Sequence, residues 1–134
     1  MGLDLAIIKN FQSEEPEDCE PTDISFDIDQ WAAFFFEELK VHRPPYTGGD
    51  RTHYMRHAEK AFVAALSDFP MLARIEDFYS DADYDSHEVH KLVAECNSIL
   101  PTLANPLAIQ FAEGLIAGCK KAIETKSGIS LGAD

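Results

Sequence analysis

The chain has 134 residues, of which 46% are apolar, enough for one domain with its own core and too apolar for a wholly disordered protein. Eleven Lys and Arg face 24 Asp and Glu, a formal net charge of −13. That balance repels phosphate backbones and anionic membrane surfaces, and so argues against direct nucleic-acid or membrane binding; it attracts basic partners instead.

No apolar run approaches the roughly 20 residues needed to span a bilayer as a helix. The residues from Met1 to Ile8 lack a basic leader pattern, and Asp4 interrupts their apolar stretch. Cys19, Cys96 and Cys119 make neither an even framework nor a C-x-x-C pair. They read as reduced thiols, and the expected compartment is the cytoplasm.

In chain order, Leu3, Leu5 and Ile7 alternate in a short strand over 3–9. An acidic loop follows at 13–22, with Pro16, Pro21 and five acids. Ile24, Phe26 and Ile28 then alternate with Asp and Ser, so a hairpin of 3–9 with 23–28 is expected. Asp29 is placed to cap a helix from about 30 to 41, which Pro44-Pro45 ends. Trp31, Phe34, Phe35 and Leu39 mark its inner face. Asp50 or Thr52 opens a second helix to about 66, with Ala58, Ala61, Phe62, Ala65 and Phe69 in its stripe. Asp68 and Pro70 restart a third, with Leu72, Ile75 and Tyr79 inward.

The stretch 80–85 reads as an acidic turn. Asp85 and Glu88 have capping-box spacing for a helix over 86–100, whose face is Val89, Leu92, Val93, Cys96, Ile99 and Leu100. The last helix, about 106–126, uses Ala108, Phe111, Ala112, Leu115, Cys119 and Ile123. Gly114 and Gly118 allow another backbone close to it, and Gly128 closes it. The expected architecture is mostly α: a single domain over 1–134, with a short N-terminal hairpin and its acidic loop in 3–28, a bundle of four to five helices in 29–127 and a loose tail over 128–134.

Several constellations compete for function. His53 and His57 are four apart, and His87 and His90 three apart, spacings that place two imidazoles on one helix face. The H-E-x-x-H order is missing, and surface histidines flanked by Arg56, Lys60 and Lys91 are the simpler account, so no metal or cofactor is expected. Asp81, Asp83 and Asp85 open like a calcium loop, but Ser86 and Leu92 stand where Gly and Glu are required. Cys96 and Cys119 fall on apolar faces, Cys19 sits among carboxylates, and no G-x-S-x-G elbow is present, so nucleophilic catalysis has little support. Gly48-Gly49 lacks the Lys-Ser/Thr of a phosphate loop; the basic residues Arg51, Arg56 and Lys60 behind it pair most simply with neighbouring acids.

The preferred site is acidic and aromatic: Glu76, Asp77, Tyr79, Asp81, Asp83, Tyr84, Asp85 and Glu88, with Phe78 among them. Carboxylates accept arginine forks and steer basic partners, and tyrosine supplies rigid contact area. In size, charge and helical content the chain resembles the small acidic immunity proteins that neutralise bacterial toxins. That likeness implies a binding protein masking a basic, possibly nuclease, surface. The alternatives are an oligomeric structural or adaptor protein using Phe34–Phe36, and a small helical metal-binding protein or enzyme using the two histidine pairs.

Overall fold

The computed structural model describes residues 2–9, 19–41, 49–52, 56, 60–61, 64–75 and 81–133. It replaces the expected helical bundle with a mixed fold. An antiparallel sheet of four strands carries helices on one face. The strands are β1 (Leu3–Ile8), β2 (Cys19–Phe26), β3 (Ala82–Tyr84) and β4 (Gly128–Ala133), in the order β2-β1-β4-β3.

The second strand starts at Cys19, within the expected loop, and stops short of Ile28, which is helical and exposed; the expected hairpin otherwise forms, with Leu3 opposite Phe26 and Ile8 opposite Cys19. Its register slips between Asp4 and Ala6. There the Thr22 hydroxyl donates to the Leu5 carbonyl at 2.7 Å and accepts from the Ile24 N–H at 3.1 Å, so the break leaves that carbonyl bonded. The stretch expected to be a loose tail is instead the inner strand β4. It pairs Leu131 with Leu5 and Ile129 with Ile7, and on its other side Ile129 with Tyr84. The turn expected at 80–85 contains β3, its partner at the sheet edge.

Period-two alternation sorts the side chains. Leu3, Leu5, Ile7, Phe26, Ala82, Tyr84, Ile129 and Leu131 are buried. They pack beneath α3 (Pro106–Glu124) and α2 (Ser86–Ile99). Asn105 caps α3 through the Leu107 N–H, and Pro106 occupies its first turn, where a missing donor does no harm. The two helix glycines serve side chains rather than a second backbone. A Cβ on Gly114 would lie 2.5 Å from Phe26 Cε1, and one on Gly118 would lie 2.4 Å from Leu5 Cδ1.

Asp27, not Asp29, caps α1 (Ile28–Ala32), in a capping box with Gln30. The helix then widens into a π-helix over Ala33–Glu38, with the Leu39 N–H reaching the Phe34 carbonyl at 3.1 Å. A π-turn rotates each residue less about the axis than an α-turn, which brings consecutive side chains nearer one face. Phe34 and Phe35 are both fully buried. Phe36, half-buried, meets Trp31 edge-on with ring centres 5.1 Å apart. Phe111 lies 4.8 to 5.8 Å from the rings of Phe26, Phe34 and Phe35, and joins sheet, π-helix and α3.

Helical backbone occurs at residues 51–52, 56, 60–61 and 64–65 of the expected second helix; Ala58 and Phe62 lie outside the described residues. Among the described residues of the expected third helix, the helical backbone is a 3-10 turn over Leu72–Arg74. Leu72 and Ile75 are buried as expected, and Tyr79 lies outside the described residues. Long-range bonds hold this turn in place. Glu95 accepts from the Met71 and Leu72 N–H groups, Tyr84 donates to the Met71 carbonyl, and the Trp31 indole donates to that of Ile75.

Candidate functional site: an acidic corner of the sheet

Of the acidic and aromatic residues singled out by sequence, Glu76, Asp77, Phe78 and Tyr79 lie outside the described residues. The remaining five meet where β3 leads into α2, and they divide by role.

Asp81 and Asp83 are exposed on the solvent-facing side of the sheet. Asp83 accepts from the Ser130 hydroxyl at 2.6 Å. Asp81 Oδ1 would lie 3.8 Å from a Cβ on Gly132, so its carboxylate stands beside β4. Across the strands Gly132 pairs with Asp4, which is exposed, and Ser130 pairs with Ala6. The outer face therefore carries Asp4, Asp81 and Asp83 around the small residues Ala6, Ser130 and Gly132. Sequence reasoning had no reason to join Asp4 to this group. Its outward position is legible from the alternation of Leu3, Leu5 and Ile7, but its neighbours depend on β4 being a strand.

Asp85 and Glu88 do structural work. Asp85 accepts from the N–H groups of His87 and Glu88, and Glu88 accepts in return from that of Asp85 at 3.1 Å. This completes the capping box read from the sequence. Glu88 also pairs with Arg74, which holds its carboxyl below the usual range while Glu88 raises the Arg74 guanidinium.

Tyr84 is not a surface side chain. It is fully buried, and its hydroxyl donates to the Met71 carbonyl at 2.7 Å. Burial pushes its phenol well above the ordinary 10.0. In the alternation of β3 it points inward, one residue past the outward Asp83, and with Arg74 over its ring it is closed to solvent.

His87 and His90 are exposed on α2, and His53 and His57 lie outside the described residues. Among the described residues no group of three or more His, Cys, Asp or Glu is placed to hold a metal ion. Cys96 and Cys119 are buried, and burial pushes both thiols up, that of Cys119 to about 12. Such thiols pack rather than react. Among the described residues no helix is long and apolar enough to cross a membrane.

No known protein family, curated protein or solved structure matches this chain.

Proposed function

We propose that this chain is a binding protein that masks a basic surface of another protein, in the manner of the small acidic immunity proteins that neutralise toxins. The observation that carries the reading is the outer face of the sheet. There Asp81 and Asp83 project to solvent beside Asp4, on a chain with a formal net charge of −13. Carboxylates fixed on a sheet are preorganised, so little ordering is needed when a basic surface arrives. Their field accelerates encounter and sets the salt dependence of binding.

The target has an excess of Lys and Arg, as a nuclease has where it holds phosphate. The function requires no catalysis and no cofactor, and the unpaired thiols suit a cytoplasmic setting. The Phe34–Phe36 cluster, once a reason to consider self-association, is engaged within the chain by Trp31 and Phe111.

The test has two stages. Affinity capture from native lysate at low and at high salt identifies a basic protein retained only at low salt. The affinity of that purified protein is then measured for the wild type and for Asp81→Lys/Asp83→Lys. Reversal of both charges is expected to weaken binding at least about tenfold at low salt and to flatten its salt dependence. Unchanged affinity in a folded double variant would refute the proposed face.

A further inference from the structure

Arg74 stands inside the acidic corner, held by three different groups. Its Nη2 pairs with Glu88 Oε2, and its Nη1 donates to the Asp83 carbonyl at 3.0 Å. Its guanidinium carbon lies 5.3 Å from the centre of the Tyr84 ring. A carboxylate, a carbonyl and an aromatic face together suit a planar, forked cation; an ammonium cannot engage them with the same geometry. The corner is thus built around a guanidinium, which identifies the cation it accepts better than negative charge alone.

The occupant is also placed to leave. The Arg74 side chain is 38% exposed and that of Glu88 22% exposed, so water and a partner reach the pair. Ion pairs of such exposure are held weakly. The backbone beneath is held independently, by Glu95 at Met71 and Leu72 and by Trp31 at Ile75. The side chain can therefore swing away while the turn stays in place.

We infer that this corner is a guanidinium cradle, and that its resident Arg74 competes with an arginine presented by the basic partner. In the free protein Arg74 fills the cradle, neutralises Glu88 and caps the Asp83 carbonyl on the edge strand. In the complex the partner's arginine takes its place. The inference rests on the binding function proposed above and adds two things to it: arginine is preferred over lysine, and the protein's own arginine restrains affinity.

The experiment measures binding of nona-arginine and nona-lysine peptides to the wild type, Arg74→Ala and Lys91→Ala, each confirmed folded by circular dichroism. Lys91 is exposed on α2 and reports the effect of losing one positive charge. Arg74→Ala is expected to bind nona-arginine about threefold to fivefold more tightly than the wild type, the upper end for a part-exposed ion pair. Its gain for nona-lysine should be no larger than that of Lys91→Ala. Adding Glu88→Gln, which keeps an acceptor for the Asp85 N–H, should abolish the arginine-specific gain. Should Arg74→Ala fail to fold, Arg74→Met retains an apolar stem over Tyr84 and carries the same measurement. Equal gains for the two peptides, or a gain no larger than that of Lys91→Ala, overturn the inference. If the salt-sensitive partner exists and depends on Asp81 and Asp83, such a result leaves the binding function standing and removes only the cradle. If neither variant set alters binding of any basic protein, both fall.

Discussion

The inner face of the sheet sets Leu3, Leu5, Ile7, Ile129 and Leu131 against α2 and α3, whereas the outer face sets Asp4, Asp81 and Asp83 around Ala6, Ser130 and Gly132. The same strands supply both, one residue out of phase. On the inner face fit is so close that a helix must give up two β-carbons to admit Phe26 and Leu5. On the outer face the carboxylates of Asp4, Asp81 and Asp83 are exposed to solvent. The comparison teaches that the residues that stabilise the sheet and those that charge its surface are separate, and it can be broken one face at a time.

The largest effect is expected from Phe111→Ala, which empties the ring cluster joining the sheet, the π-helix and α3. A loss of about 3–5 kcal/mol should appear in urea denaturation. A matched pair of glycine substitutions comes next. Gly118→Val would place its side chain into buried Leu5 and should cost about 1–3 kcal/mol. Among the described residues a Cβ at Gly132 meets the Asp81 carboxylate, at 3.8 Å, and Gly132→Val should change stability by no more than about 0.5 kcal/mol. Equal losses at the two glycines would erase the distinction between the faces.

Acid titration tests the corner where the faces meet. Arg74 holds Glu88 below the ordinary 4.5, and a depressed folded-state pKa adds stability that is present above the unfolded value and fades as pH falls through the folded one. The stability advantage of the wild type over Glu88→Gln should therefore stay level from neutral pH down to about 4.5 and shrink below it. An advantage that grows on acidification would contradict the ion pair. A further effect belongs to neither face. Lys126 follows α3 with a φ of 54°, in the left-handed region, so Lys126→Gly should raise stability by about 0.5–1 kcal/mol in thermal melts.

Much of the helical layer was legible because its signals are local. The Asp85–Glu88 capping box, the stripe from Val89 to Ile99 and the Pro106 start of α3 all lie within a few residues of what they control. The hairpin was legible from the alternation of Leu3, Leu5 and Ile7 with Ile24 and Phe26. What escaped was non-local. Gly128-Ile129-Ser130-Leu131-Gly132 alternates as a strand does, yet its glycines and serine suggest a tail until β1 and β3 flank it. Ala82-Asp83-Tyr84 is too short to announce itself, and its acids resemble a turn. The three phenylalanines posed a real geometric conflict for an α-helix, and the chain relieves it by changing helix type. Within the site, Asp81 and Asp83 reach the surface as the acidic pattern implies. Tyr84 was misplaced because one residue of strand phase decides between interface and core.

The position of β4 also orders events in time. β1 and β2 can meet early, as can α2 and α3, because each pair is close in sequence. β4 joins β1 to β3 only by closing the chain from Leu3 round to Ala133, a slow search. Until that closure the outer face does not exist, since Asp4 and Asp81 have no strand between them. The acidic face thus forms only as the fold is completed, and pulse-labelled amide exchange should protect α2 and α3 before β1 becomes protected against β4.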